Sequence, residues 1–295
     1  MLSSMLHDAK RIWVPAVTMG VLLVVWELVV RVGLVPNFLL PSPTQVVAAF
    51  IEDFPLLMGH AVATLGEAAL GLVIGVAVGF VAAVLMDRFE LVGLALDPLI
   101  TLSQTVPTVA IAPLLVLWFG YGILPKVLLV ALTTFFPITV SLFSGFKSVD
   151  KDLIDLMRTM RATEGQIFWH VKLPAAAEEF FSGLRISATY AIVGAVIAEW
   201  LGGFSGLGVY MTRVRKSFGY DRMFACIALI SICSLGLMRL VDLAEYLCLP
   251  WKRAERKSTV CICHVVRSFG DRRSPLPLVR SRPVARRSRV KRLPR

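Results

Sequence analysis

Six stretches of this chain, residues 12–30, 61–86, 98–118, 123–143, 183–201 and 223–249, are predominantly apolar. Each is near or above the roughly 20 residues an α-helix needs to cross the hydrocarbon of a bilayer. No water is available at that depth, so every backbone N–H and C=O must be satisfied within the spanning structure, and helices are the default. Membrane β-strands would be shorter and would alternate apolar with polar. The expectation is an all-α, polytopic membrane protein of about six transmembrane helices. Composition agrees: 57% of the 295 residues are hydrophobic and 17% charged, against about 25% charged in soluble domains.

The net charge of +11 does not imply a nucleic-acid-binding body. Residues 258–295 hold 11 Lys/Arg and one acid, Asp271, while the preceding 257 residues hold 20 basic and 19 acidic side chains. The chain therefore divides into a membrane domain, 1–257, and a basic tail, 258–295. The tail is rich in Arg, Pro and Ser without hydrophobic period, which is the composition of disorder. Three readings stand for it: a translated frame shift or extension, which is preferred, a basic arm on anionic lipid, and a nucleic-acid contact. No nucleic-acid partner is expected.

Of the five cysteines, Cys226, Cys233 and Cys248 lie in or beside the last apolar run, where a free thiol acts as a small hydrophobe. Cys261 and Cys263 lack the further ligands of a zinc site. His7, His60, His170 and His264 are scattered, with no spacing that suggests a nucleophile, base or metal set. No metal, cofactor or enzymatic activity is expected. Lys10 and Arg11 precede a first apolar run that exceeds a signal-peptide core, with no small-residue cleavage site after it; it is read as a retained helix.

Orientation follows Lys/Arg in short loops. With six spans and the N-terminus inside, the inner segments up to Lys257, together with Arg185, carry 13 Lys/Arg, and the outer ones carry five: Lys126, Arg213, Arg215, Lys216 and Arg222. Both termini are therefore expected on the cytoplasmic side. The cationic outer stretch "YMTRVRKSFGYDR" is a docking surface for an acidic partner, an attractor of an anionic solute, or a solvated loop.

Within the spans, Gly71, Gly75 and Gly79 recur every fourth residue on one helix face, where small residues let backbones approach; helix packing is the favoured role. In "PLITLSQTVPTVAIAPLLVLW" (98–118), Pro98, Pro107 and Pro113 interrupt a run whose middle holds Ser103, Gln104, Thr105 and Thr108. Broken backbone at membrane depth is tolerated against protein or a wet cavity, so these side chains either tie helices together or line a translocation path. Thr133 and Thr134 extend that set, next to Pro137. Glu27 and Arg31 have the order that favours an i,i+4 ion pair. Glu199 ends the fifth run, as an interfacial anchor or as a contact near an outer gate.

The inner loop 144–182 differs from its surroundings. Asp150 can cap a first helix, with Leu153, Ile154, Met157 and Met160 on one stripe. Thr163 and Gln166 have the spacing of a capping box for a second short helix that carries Ile167, Phe168 and Val171 and is stopped by Pro174. Such a pair lies on lipid or under the bundle, or offers itself to a soluble partner.

The loop resembles the signature of permease subunits of ATP-binding cassette importers: Glu-Ala-Ala, three residues, Gly, nine residues, Ile, one residue, Leu-Pro. Here Asp155-Leu156-Met157 is followed by Arg161 at the glycine position and by Val171-Lys172-Leu173-Pro174 at the end. "LLPSPTQVV", "GLRISATYAIVGAVIAEW" and "SGLGVYM" resemble the nitrate/sulfonate/taurine branch. "SQTVPTVAIAPLLVLWFGYGILPKV" and "FFPITVSLFSGFKSVD" resemble members that import pyrimidine precursors of thiamine. The resemblance implies a type I importer permease fold, a homodimeric path in the bacterial inner membrane, an extracytoplasmic binding protein, and cytoplasmic ATPase subunits that grip the loop. Asp155, Arg161 and Thr163 to Val171, with Leu173 and Pro174, would couple to the ATPase. ATP would be bound by that partner; the chain has no G-x-x-x-x-G-K-[ST] phosphate cradle. Arg161 departs from the pattern, and if the position needs positive φ the substitution costs roughly 1 kcal/mol or more. The competing function is a self-sufficient secondary transporter or channel, which would call for ionisable groups in several spans.

Overall fold

The computed structural model describes residues 2–33, 35–36 and 39–250; the 258–295 tail, with Cys261, Cys263 and His264, lies outside them. Among the described residues all regular structure is helical. Helix α1 spans Leu2–Arg31 and α2 Pro43–Glu52; α3, Phe54–Arg88, is the longest. Helices α4 (Glu90–Ser103) and α5 (Thr108–Phe119) lead into α6 (Ile123–Lys147). The short α7 (Lys151–Thr159) and α8 (Glu164–Ile167) precede a π-helical turn, Phe168–Lys172, and α9 (Leu173–Leu201). The last two are α10 (Leu207–Lys216) and α11 (Tyr220–Cys248).

Five of these stretches are long and apolar enough to cross a bilayer: 13–31, 54–88, 123–147, 164–201 and 220–248. The sixth expected run, 98–118, is two helices bent by 97° at residues 104–107. Pro107 has no N–H to give to a preceding carbonyl and disfavours helical backbone at Val106, so α4 ends and α5 starts afresh. Pro98 and Pro113 stay inside their helices. The stretch is a bent pair and not one straight span.

A second expectation needs correction. Pro174 does not stop a short helix; it occupies the first turn of α9. The π turn just before it moves the hydrogen bond of Leu173 N–H to the Phe168 carbonyl. One extra residue in the turn absorbs the mismatch that a proline would impose on an unbroken α-helix. Residues 164–201 thus form one helical column from the polar loop through the fifth apolar run.

Helix α6 lies at the centre, between α3 and α9. Gly71, Gly75 and Gly79 are buried on α3 where it crosses Val130, Thr134 and Ile138 of α6. A Cβ on any of the three would run into those side chains and into the carbonyls of Val127, Ala131 or Phe135. The other side of α6 repeats the device: Gly183 faces Ser141 and the Pro137 carbonyl, and Gly145 faces Ala176. Ser187 Oγ donates to the Thr134 carbonyl at 2.9 Å. Close backbone approach is how helices associate where lipid removes the hydrophobic incentive.

The termini are locally specified. Ser42 and Gln45 form a capping box at α2, with Pro43 in its first turn. Glu27 pairs with Arg31 at 2.7 Å, as their spacing implied, and also accepts from Thr44 Oγ1 at 3.0 Å, tying α1 to α2. The cationic stretch 210–222 is not a loop. Its first part is α10, whose Leu207, Tyr210 and Val214 join Leu57, Ala61, Cys226 and Leu229 in one apolar cluster. Along the spans, large apolar side chains such as Val62, Val73, Val81, Leu235 and Leu243 point outward.

Candidate functional site

Two polar clusters occupy opposite ends of the α3–α6–α9 core. On α3 they are marked by Glu67 and Asp87, twenty residues apart. At 1.5 Å per residue that is about 30 Å, the thickness of a bilayer's hydrocarbon.

The first cluster holds the polar loop. Asp150 caps α7 through Oδ1, which accepts from Asp152 N–H at 2.9 Å. Thr163 and Gln166 make both bonds of the capping box, at 3.3 and 2.8 Å. Between them α7 ends in a Schellman motif: Arg161 N–H donates to the Arg158 carbonyl and Ala162 N–H to the Met157 carbonyl. Arg161 occupies the left-handed position of that motif, with φ 60°. This is why a glycine pattern fits here, and the arginine pays the steric cost of its Cβ.

Arg158 bridges the two loop helices, donating from Nη2 to Glu164 at 3.2 Å and from Nη1 to Asp155 at 3.5 Å. Ile167 and Val171 are buried, and Phe168 stacks on Phe146 at 5.6 Å between centroids. Lys172 Nζ donates to both oxygens of Asp87 at 2.8 Å, fastening the π turn to the end of α3. Val84, Asp87, Arg88, Glu164, Gly165 and Phe168 line a recess beside that pair. Helix α7 buries none of its residues: Leu153 and Leu156 are exposed, as are Met160 at its C-cap and Trp169 on the π turn. The loop is thus rigidly rooted through α8 and the π turn, and presents unpartnered apolar side chains from α7.

The second cluster was not legible as a unit. Glu199 is 2% exposed and, from the end of α9, caps the N-terminus of α10. Its Oε2 accepts from Gly208 N–H at 2.6 Å and its Oε1 from Thr64 Oγ1 at 2.7 Å. Leu207 N–H donates to Thr64 Oγ1 at 2.8 Å, and Gly206 N–H to His60 Nδ1 at 3.0 Å. A carboxylate at a helix N-terminus satisfies its free N–H groups and its dipole together. Gly206 has φ +124°, and a Cβ there would collide with the Glu199 carboxylate. Lys126 is 4% exposed; its Nζ donates to Glu67 Oε1 at 2.6 Å and to the Ser205 carbonyl at 3.4 Å. Tyr210 donates to Asp53 Oδ2 at 2.6 Å. Burial and that carboxylate raise the phenol's pKa, so it stays a donor.

The residues grouped as path-lining fall in three places. Ser103, Gln104 and Thr105 sit exposed at the α4–α5 bend, with Thr108 half-buried at the start of α5. Thr133 and Thr134 lie on α6, where Thr134 is fully buried and returns its hydroxyl to the Val130 carbonyl. Glu199 belongs to the α10 cap. His60, Thr64, Glu67 and Lys126 were missed. A signal existed on α3, because Glu67 continues the glycine row at the same four-residue interval, on the face that must be buried.

A family model, "Binding-protein-dependent transport system inner membrane component", matches residues 75–246. The formylaminopyrimidine transport permease protein ThiX of Halalkalibacterium halodurans is 37% identical over 82% of this chain and 96% of its own length. A putative aliphatic sulfonates transport permease protein of Bacillus subtilis is 32% identical, covering 80% of this chain and 86% of its own. The taurine transport system permease protein of Escherichia coli is also 32% identical, covering 79% and 88%. Among solved structures, the inward-facing MetNI methionine ABC transporter aligns with TM-score 0.54 at 18% identity, over 65% of this chain and 96% of that one. That likeness concerns the fold.

Proposed function

The chain belongs to the family of binding-protein-dependent transport system inner membrane components, and we propose that two copies of it form the translocation path of an ATP-driven importer. Cytoplasmic ATPase subunits engage the 151–172 loop, and an extracytoplasmic binding protein docks at the opposite end, near α10. The observation that carries this reading is the loop. It is capped and ion-paired to α3 on one side, is continuous with α9 on the other, and leaves Leu153, Leu156, Met160 and Trp169 uncovered. Displacement of such a segment moves two helices of the core directly. The Lys/Arg distribution supports placing this end, and both termini, in the cytoplasm.

For the solute we favour a pyrimidine precursor of thiamine. The identity of 37% to a formylaminopyrimidine permease, against 32% to the sulfonate and taurine permeases, supports it. The test is uptake by proteoliposomes holding this chain, its ATPase and its binding protein. Labelled formylaminopyrimidine should accumulate with ATP, and unlabelled hydroxymethylpyrimidine, not taurine or an alkyl sulfonate, should compete. Accumulation driven by an ion gradient without the ATPase would instead support a secondary transporter.

A further inference from the structure

The second cluster contains a charge count that does not balance. Glu67 and Glu199 are buried, and Lys126 is the buried cation beside them. Thr64, which holds Glu199, is one helical turn from Glu67 on α3, and Lys126, which holds Glu67, also reaches the Ser205 carbonyl next to Gly206, against which the Glu199 carboxylate packs, so both carboxyls belong to one buried cluster. Three of the four carboxylate oxygens have donors: Lys126 on Glu67 Oε1, Thr64 on Glu199 Oε1, and Gly208 N–H on Glu199 Oε2. The fourth, Glu67 Oε2, is buried and has no partner. An unpaired buried carboxylate oxygen in the same cluster as a second buried carboxylate is doubly unfavourable, through lost hydration and through like-charge repulsion.

We propose that the Glu67–Glu199 pair is a proton-binding site, holding one proton between Glu67 Oε2 and the Glu199 carboxyl. The bound proton supplies the missing hydrogen bond, and with Lys126 it brings the buried set to zero net charge. It belongs to the pair and not to either residue alone. Water is its source: Glu67 and Lys126 line an open recess of about 370 Å³ that Val62, Leu70, Ile123 and Phe204 also border. Binding takes a proton from that water and release returns it, with no other bond changed.

The surrounding groups leave this role to the pair. His60 on α3 accepts Gly206 N–H through Nδ1 and packs against Tyr210 of α10. Tyr210 is committed to Asp53, and Arg213 of α10 to the Phe204 carbonyl. Cys226 of α11 donates to the Leu207 carbonyl, and Cys233 lies further along the same helix. The consequence concerns the 202–208 connection, which is held to α3 and α9 by these same side chains. Loss of the proton leaves two adjacent buried anions beneath it and loosens that attachment.

The experiment is infrared spectroscopy of the assembled transporter in lipid, titrated from neutral to alkaline pH in H2O and D2O. The wild type should show a protonated-carboxyl C=O stretch at neutral pH that shifts on deuteration and disappears on alkalinisation. Glu67→Gln and Glu199→Gln should each remove it, the amide N–H taking the proton's place, with the amide bands unchanged. A wild-type spectrum with only carboxylate bands, the open oxygen then holding water, would overturn the proposal, and this arm does not depend on the variants folding. So would a protonated band that persists in both variants. ATP-dependent uptake is measured separately, so failure here leaves the importer reading standing.

Discussion

At the scale of single residues, Arg161 is a position where side chain and backbone disagree. A Schellman motif needs a left-handed residue, and an L side chain there costs on the order of 1 kcal/mol relative to glycine. Arg161→Gly is therefore expected to stabilise the loop by about 1 kcal/mol, read as a higher unfolding midpoint of the detergent-solubilised protein. Thr163→Ala should do the reverse by about the same amount, since it removes the cap acceptor for Gln166 N–H; an unchanged midpoint in both would mean that the caps do not hold the loop. Phe218, with φ 58°, stands in the same kind of turn after α10 and should respond to glycine in the same direction. Gly206→Ala should fail far more severely, because its new Cβ meets the Glu199 carboxylate on a backbone that L residues avoid. Little folded protein is expected from it. The sequence made the Thr163 cap visible because capping is local. It left Glu199 ambiguous because the N–H groups it caps lie on a helix that begins eight residues later and folds back.

At the scale of elements, the glycine row of α3 is a fitted surface and not merely a tolerant one. Gly75→Leu should lower the yield of folded protein sharply, since overpacking costs about 1–3 kcal/mol even where neighbours can shift, and here the neighbours are backbone and a buried Thr134. Gly59→Ala, on the same helix with open space around it, should be neutral; equal damage from both would remove the packing argument. Sequence periodicity exposed this row but not its partner, because Val130, Thr134 and Ile138 are ordinary residues whose role exists only once α3 lies against them. The π turn was hidden for a related reason. Pro174 reads as a stop signal, but the π turn before it absorbs the mismatch, and the packing of Phe168 on Phe146 and the Lys172–Asp87 pair hold that turn against the bundle. Lys172→Met should break that fastening and reduce ATP-coupled transport more than stability, with the partner-free unfolding midpoint as the control.

At the scale of the whole molecule, the fold class and most apolar runs were readable because a bilayer imposes a coarse rule of length and continuity. The break between α4 and α5 was signalled by Pro107, but its 97° angle and the inward burial of α10 required the tertiary structure. The polar ends, about one bilayer thickness apart on α3, divide the work proposed here: one end receives force and the other shapes the entrance. The most direct test changes only the surface that receives it. Leu153, Leu156, Met160 and Trp169 are exposed, and Trp169 makes its ring contact with its chain neighbour Phe168, so replacing all four with Ser should leave the bundle folded. The measurement is ATP-dependent solute accumulation by reconstituted vesicles. The account predicts that the ATPase no longer co-purifies with this variant and that accumulation is lost. Undiminished accumulation by a variant stripped of that surface would contradict it.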